Sequence, residues 1–248
     1  MLLDNQVAIV TGTATGIGHE IARLFAAHGA KLLLLDRSAG ANEAAAHSID
    51  SSGKRAIAIT VDVRDRHAID GAVSRAVEEW GRIDVLINNA GIYPRQEFLT
   101  MTEAQWDEMQ DINLKSMFHL HQAVLPHMIG RRHGKIVNIS SVTFHLGVAN
   151  LVHYVASKGG VIGLTRSLAR EIGAHNLHIN CITPGAVLVE AEKAVVSEEQ
   201  VKAFVASQSL ARRILPIDIA RVALFLSCEL SDGMTGQTLN VDGGWFMH

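Results

Sequence analysis

The chain has 248 residues, of which 48% are hydrophobic and 19% charged, and its formal net charge is −3. That is ample for a sizeable core, and mild acidity without a long single-sign block excludes any electrostatic case for nucleic-acid or membrane-surface binding. No apolar run is long enough to span a bilayer, no secretion signal opens the chain, and Cys181 and Cys228 lie in apolar runs that suit a reducing compartment, so a cytoplasmic protein is expected.

Val7–Thr11 reads as a buried strand. The turn TGTATGIG follows at 11–18, and then the amphipathic run HEIARLFAAHG, closed by Gly29. Strand, glycine turn and helix in that order form a cradle for a diphosphate. Glycine lets backbone approach a phosphate, and the helix start offers free N–H groups. The next strand, KLLLLD, ends in Asp36, 20 residues past Gly16. At that offset a carboxylate meets the adenosine ribose, accepts from its hydroxyls and repels a 2′-phosphate, which argues for NAD over NADP. Arg37 follows directly and has the charge to bind that phosphate.

The alternation continues with a helix at Ala41–Ser52, a strand at Arg55–Val61 leading into Asp62-Val63, and a helix at Asp65–Trp80. Ile83–Asn88 is a fourth strand ending in Asn88-Asn89-Ala90-Gly91, where an open sheet presents its ligand crevice. A short helix at Thr102–Asp111 and a longer one over Ile112–Arg131, interrupted near Pro126, lead to a fifth strand at Lys135–Ser140. A long helix spans Val152–Ala174 and a sixth strand Leu177–Ile182. Thr183-Pro184-Gly185 then turns away from the sheet. Residues 186–213 have a helical pattern without strands and read as an inserted lid. A helix at Asp218–Ser227 and a strand at Gln237–Val241 precede the terminal GGWFMH. The near-continuous Val/Ile/Leu strands are those of a parallel sheet covered on both faces. Thirteen histidines are many, but none stands at metal-ligand spacing, and His119 and His121 do not share a helix face.

Tyr154 and Lys158 stand four positions apart on the long helix, one turn apart on one face. A phenol ionises near ~10, and an ammonium beside it favours the phenolate, so Lys158 is expected to lower the Tyr154 pKa. Ser141, thirteen residues before Tyr154, ends the KIVNIS strand and is placed to donate to a substrate oxygen. The three read as a proton donor, its tuner and an oxygen clamp. Ala156, Gly159, Gly160 and Gly163 face away from Tyr154, at up to ~1 kcal/mol per helical glycine. They imply close approach by another backbone, with the same helix of a second subunit favoured.

Taken in order, TGTATGIG, Asp36, Asp62-Val63, NNAG at 88–91, Asn113, Ser141, YVASK at 154–158 and Pro184-Gly185 resemble the short-chain dehydrogenase/reductase family over essentially the whole chain. The resemblance implies an α/β, doubly wound Rossmann fold, with a seven-stranded parallel sheet, helices on both faces and one domain over 1–248. It implies NAD as cofactor, held by Gly12, Thr15, Gly16, Ile17 and Gly18 in the turn and by Asp36 and Arg37 at the ribose. Asp62 and Val63 would meet the adenine, and Asn89, Ala90 and Gly91 the adenosine side of the crevice. Tyr154, Lys158, Pro184, Gly185 and Val187 would hold the nicotinamide end. Tyr154 would be the acid/base, Lys158 its tuner, Ser141 the substrate clamp and Asn113 the holder of a relay water. A homotetramer is implied as well. One departure is Val189, where the family often has a threonine bonded to the nicotinamide amide.

Tyr93, Thr143, Phe144, His145, Leu151, His153 and Leu188 flank the catalytic set and, with Ser141, are the expected substrate pocket. They are mostly apolar or aromatic, without an Arg/Lys cluster. The expected partner is therefore a neutral secondary alcohol or ketone. AGIYP, HYVASK and TGQTLNVDGG resemble the branch that includes NAD-linked aryl-alcohol dehydrogenases. A 3-oxoacyl-carrier-protein reductase is the alternative of the same fold, and Asp36 speaks against that enzyme's usual NADPH. A non-catalytic dinucleotide-sensing module is the alternative of another class, and the intact Ser141, Tyr154 and Lys158 speak against it.

Overall fold

The protein is described by a computed structural model covering residues 1–190 and 196–247. The strands are β1 (Val7–Thr11), β2 (Lys31–Asp36), β3 (Ala56–Thr60), β4 (Val85–Asn88), β5 (Gly134–Ile139), β6 (Leu177–Pro184) and β7 (Thr238–Val241). They form one parallel sheet in the order β3-β2-β1-β4-β5-β6-β7. The winding reverses between β1 and β4, so the crevice of this doubly wound α/β fold opens at the carboxyl ends of those two strands.

The helices are α1 (Gly16–Ala27), α2 (Ala39–Ile49), α3 (Arg66–Trp80), α4 (Glu103–Gln110), α5 (Ser116–Arg131), the single turn α6 (Thr143–Leu146), α7 (Val152–Ile172), α8 (Glu198–Ala206) and α9 (Pro216–Leu226). Alternation along each strand divides the core. Leu32 and Leu34 join Ile21, Phe25 and Ile219 on the face under α1 and α9. Leu33 and Leu35 join Ile69, Val73, Leu120 and Ile172 on the face under α3, α5 and α7. A one-residue slip would exchange the two sets, so the apolar runs fix the register. Helix ends follow local chemistry. Asp65 accepts from the Ala68 N–H at the start of α3, and Gly81 closes it in the left-handed region. Thr102 and Gln105 cap α4 reciprocally.

Three details depart from expectation. Helix α5 runs unbroken through Pro126. Pro126 and Gln122 both lie on the exposed side, so the Gln122 carbonyl left without a donor faces water. The expected break lies earlier, in a π turn over Asp111–Lys115 that contains Asn113. The α7 glycines are also largely accounted for within the chain. A Cβ on Gly159 would meet the Phe144 ring at 2.8 Å, one on Gly160 would meet Leu114 at 2.6 Å, and Gly163 has no described neighbour within 4 Å. Side chains of this chain, not another backbone, claim the first two. In the expected lid, 191–195 lie outside the described residues. The rest holds α8 and an isolated bridge from Val187 to Ile214.

At the opposite end of the sheet from the crevice, Asp84 is fully buried. It accepts from the Val7 N–H at 2.9 Å and from both ends of the Arg82 fork at 2.6 Å, with Arg131 at 3.6 Å. Asp84→Ala would leave a buried N–H without an acceptor and an arginine without its carboxylate. The expected loss is about 2–3 kcal/mol, seen as a melting temperature roughly 5–10 °C lower, with turnover per folded molecule unchanged.

Candidate active site

The coenzyme end is built at the carboxyl edges of β1, β2 and β4. Gly12 has φ +71°, and a Cβ there would lie 2.8 Å from Asn89 Nδ2. On Gly18 a Cβ would lie 2.1 Å from the Gly12 carbonyl oxygen. The turn is therefore folded too tightly for side chains at these positions. Thr11 Oγ1 accepts from the N–H groups of Asn89 and Ala90 at 2.9 and 3.0 Å, and Asn89 Nδ2 donates back to the Thr11 carbonyl at 2.9 Å. The Asn89 side chain thus braces the two turns against each other. Thr13 Oγ1 donates to buried Asn42 at 2.6 Å, and Asn42 donates to the carbonyls of Leu34 and Ile59. Asn42 is a brace that the sequence reading missed. Its only signal is an amide on an alanine-rich helix.

Asp36 accepts from the Ala14 N–H at 3.0 Å and from the Ser38 N–H at 2.9 Å. Each carboxylate oxygen keeps a lone pair for a further donor. A cavity of about 120 Å³ runs beside it, lined by Gly12, Asp36, Arg37, Asp62, Val63 and Gly91 among others. Asp62 is forked by Arg64 at 2.6–3.1 Å, which holds its carboxyl below the usual range. Tight backbone, a helix start and a carboxylate beside the cavity are the features a dinucleotide needs, so the residues fit one. Thr15 is the N-cap of α1, Ile17 packs on the core beneath, and the Val189 side chain lies 3.4 Å from where a Gly16 Cβ would be. Pro184 ends β6, Gly185 lies tight against the Asp242 backbone, and Val187 is buried.

The chemical end lies where β5 meets α7. Lys158 is buried, and its Nζ donates to the Ile139 carbonyl at 2.9 Å and stands 5.6 Å from the Tyr154 ring centroid. Ser140 Oγ donates to the Lys158 carbonyl at 2.8 Å, so Ser140 braces the helix, while the Ser141 hydroxyl acts on Tyr154 in the direction that lowers its pKa. Asn113, fully buried in the π turn, accepts from the Ile92 N–H and donates to the Ile92 carbonyl, both at 2.8 Å. Its amide fixes the loop after β4 beside Lys158. Below, Asn88, His121, Asn138 and Thr165 form a buried network joining β4, α5, β5 and α7. Burial pushes His121 down to about 4, so it is neutral there.

The expected lowering of the Tyr154 pKa is not what the chain's own groups produce. Burial of the hydroxyl pushes it up to about 12, against a lowering hydrogen bond from Ser141. Burial likewise pushes Lys158 down to about 8. Desolvation is the largest cause at both groups, because burial penalises phenolate and ammonium alike.

On the substrate side, Tyr93, Phe144 and Leu188 are exposed, and Tyr93 meets Tyr154 edge-on at 6.3 Å. Thr143 hydrogen-bonds Ser141 at 2.9 Å. Leu151 and His153 are buried behind this surface. His145 stacks on Phe246 at 4.8 Å, and Trp245 packs on Phe204 of α8. The C-terminal tail thus borders the pocket, held by Asp242, which accepts from the N–H groups of Gly244 and Phe246. The signal for it was the aromatic pair after the last strand.

Comparison with known proteins agrees with this geometry. The family described as Enoyl-(Acyl carrier protein) reductase matches residues 12–246. Similar proteins include the 3-oxoacyl-(acyl-carrier-protein) reductase FabG of Chlamydia muridarum, 38% identical over 98% of both chains. The (2S)-((R)-hydroxy(phenyl)methyl)succinyl-CoA dehydrogenase subunit BbsD of Thauera aromatica is 36% identical over 98% of both. The 5-keto-D-gluconate 5-reductase of Escherichia coli is 37% identical over 98% of this chain and 96% of its own. A solved structure from Agrobacterium tumefaciens, provisionally named a gluconate dehydrogenase, superposes with a TM-score of 0.93 at 33% identity, covering 98% of this chain and 96% of that one. The chain belongs to the short-chain dehydrogenase/reductase family. As a member, it is an oxidoreductase that interconverts a secondary alcohol and a ketone with a nicotinamide dinucleotide. Among the described residues no helix is long and apolar enough to cross a membrane, and no cluster of metal-binding side chains is present.

In this oxidoreductase the buried amine sets stability against activity. The folded pKa of Lys158 lies below its unfolded value, so its penalty on the fold is full below about pH 8 and fades as pH rises toward 10.5. Lys158→Met should melt no lower than the native protein at pH 7, with any advantage shrinking above pH 8. Turnover should fall at least ~100-fold. A markedly lower melting temperature would show instead that the bond to Ile139 is a net structural tie.

Proposed function

We propose that the enzyme uses NAD(H) and acts on neutral, moderately bulky secondary alcohols of the benzylic type and on the matching ketones. The reaction half rests on one arrangement: Tyr154, with the Lys158 amine 5.6 Å from its ring centroid and the Ser141 hydroxyl acting to lower its pKa, at the mouth of the crevice. The exposed Tyr93, Phe144 and Leu188 give the mouth an apolar, aromatic rim. The relative BbsD is named for an alcohol carbon bearing a phenyl group, which supports an aryl substituent.

Gly12, Gly16, Asp36, Asp62, Gly91, Tyr154, Lys158, Pro184 and Val187 would hold the coenzyme, which when bound supplies or accepts the hydride. The substrate oxygen lies between the hydroxyls of Ser141 and Tyr154. Ser141 donates a hydrogen bond to it throughout. In reduction Tyr154 gives its proton to the forming alkoxide, and in oxidation the phenolate takes that proton back. The Lys158 ammonium stabilises the phenolate. Asn113 holds the loop that closes this side, and a relay to solvent would pass beside it. Ketone reduction needs both protonated Tyr154 and charged Lys158, so it should decline above about pH 8, while alcohol oxidation should rise with pH as the phenolate forms.

Asp36 carries the coenzyme choice, because its carboxylate is fixed by two backbone N–H groups beside the cavity. Arg37 and Arg64 line the same cavity and favour a second reading, an NADPH-linked reductase of 3-oxoacyl thioesters like the FabG relative. A cytoplasmic homotetramer completes the proposal. Light scattering at micromolar concentration checks the assembly.

A panel of aryl carbinols, aryl ketones, 3-oxoacyl thioesters and 5-keto-D-gluconate, each with both coenzymes, decides among the readings. The expected result is aryl ketone reduction with NADH favoured over NADPH by at least ~10-fold, and that preference should collapse in Asp36→Ala. Equal or better use of NADPH would move the assignment to the second reading. Tyr154→Phe should lose ~100-fold or more in either direction. Full retention of turnover would remove the phenol from the chemistry.

A further inference from the structure

We infer that Thr143 is a positioning residue for catalysis, acting through Ser141. The inference rests on the proposed roles of Ser141 and Tyr154. Ser141 is buried at the end of β5, and its Oγ accepts two hydrogen bonds from one residue, the Thr143 N–H at 3.2 Å and the Thr143 hydroxyl at 2.9 Å. A hydroxyl has two lone pairs and one proton. With both lone pairs engaged by Thr143, the Ser141 proton is left for a group other than Thr143, on the side where Ser141 lowers the pKa of Tyr154. In the proposed reaction that group is the substrate oxygen.

Two consequences follow for Ser141. Its rotamer is fixed before substrate arrives, because rotation would break the hydroxyl–hydroxyl bond. Its proton is also made more acidic, since an oxygen that accepts hydrogen bonds donates more strongly. Thr143 thus holds and polarises the Ser141 hydroxyl, which in the proposed reaction is aimed at the substrate oxygen. The backbone bond from Thr143 is available to any residue at this position. The side-chain bond requires threonine or serine. The short helix α6 places both donors, because it begins at Thr143, two residues after Ser141.

The test compares Thr143→Val, which keeps shape and removes the donor, with Thr143→Ser, which keeps the donor. Thr143→Val and Thr143→Ala should each lower kcat for ketone reduction about 5- to 10-fold, the loss of one hydrogen bond, with the KM for NADH unchanged. Thr143→Ser should return most of that loss. In Thr143→Val the inflection of the kcat/KM pH profile for alcohol oxidation, which reports the enzyme before substrate binds, should move upward, because a weaker donor stabilises the phenolate less. Unchanged kcat and inflection, or failure of serine to rescue, would overturn the proposal. A rise in kcat would overturn it too, since it would mean that the Ser141 proton is spent on Thr143. The chain has two tyrosines. In a Tyr93→Phe background the phenolate ultraviolet band therefore reports Tyr154 alone and needs no substrate. If no alcohol or ketone is turned over, the reaction assignment fails separately. That titration then decides on Thr143: an upward shift in Thr143→Val supports the inference, and no shift overturns it.

Discussion

The site depends on a desolvated hydroxyl and a desolvated amine held together at the end of the sheet. Burial drives Tyr154 up to about 12 and Lys158 down to about 8, so each is pushed toward its neutral form. In the proposed oxidation direction the working pair is the charged one, phenolate and ammonium, and it forms only where surrounding dipoles replace the lost water. The chain supplies some of them: the Ile139 carbonyl on Lys158 and the Ser141 hydroxyl on Tyr154. A cationic nicotinamide would supply more. On this view the apolar surroundings that weaken the resting pair also make it respond strongly to a charge arriving beside it.

Holding such a pair needs a rigid frame, and the frame is polar as well as apolar. Strands β4 and β5 are locked to α5 and α7 by the Asn88, His121, Asn138 and Thr165 network, in which burial keeps His121 neutral. Ser140 fixes the Lys158 backbone, Ser157 bonds the Tyr154 carbonyl at 2.7 Å, and Gln110 bonds the His153 carbonyl at 3.0 Å. The end of β5 and helix α4 are thereby tied to α7, and Ser157 bonds within α7 itself, all by side chains that never face the substrate. A matching brace, Thr11 with Asn89 and Thr13 with Asn42, stiffens the coenzyme end.

Much of this was legible in the residues. All seven strands fall where the sequence placed them; the five inner ones are buried on both faces and so carry no polar alternation to confuse the reading, while the edge strands β3 and β7 are half-buried. The glycine turn, Asp36, NNAG and the Tyr154–Lys158 spacing were readable because backbone sterics and helical geometry act over a few residues. Features that arise between distant segments were not. The π turn at Asp111–Lys115 has no sequence mark, since DINLK suits an ordinary helix. The neighbours of Gly159 and Gly160 come from 144 and 114, so sequence reasoning pointed to a missing subunit where side chains were already in place. The direction of the Tyr154 shift was misjudged for the same reason: spacing shows the partner but not the depth.

The two charges at the adenosine end are constrained unequally, and that bears on coenzyme choice. Asp36 is tied to the backbone at Ala14 and Ser38, so it keeps its place beside the glycine turn whatever approaches. Arg64 is held on a side chain, Asp62, in a partly exposed ion pair of the kind that contributes little and exchanges readily. Arg37 is exposed and is the freer of the two to turn toward a phosphate. A fixed carboxylate therefore faces arginines that can rearrange. The fixed group exacts its repulsion from a 2′-phosphate at once, whereas the arginines must first give up hydration or a partner to offset it. That balance is the physical basis of the proposed preference for a free ribose, and the arginines make the proposed preference one of degree, open to reversal by removing a single carboxylate.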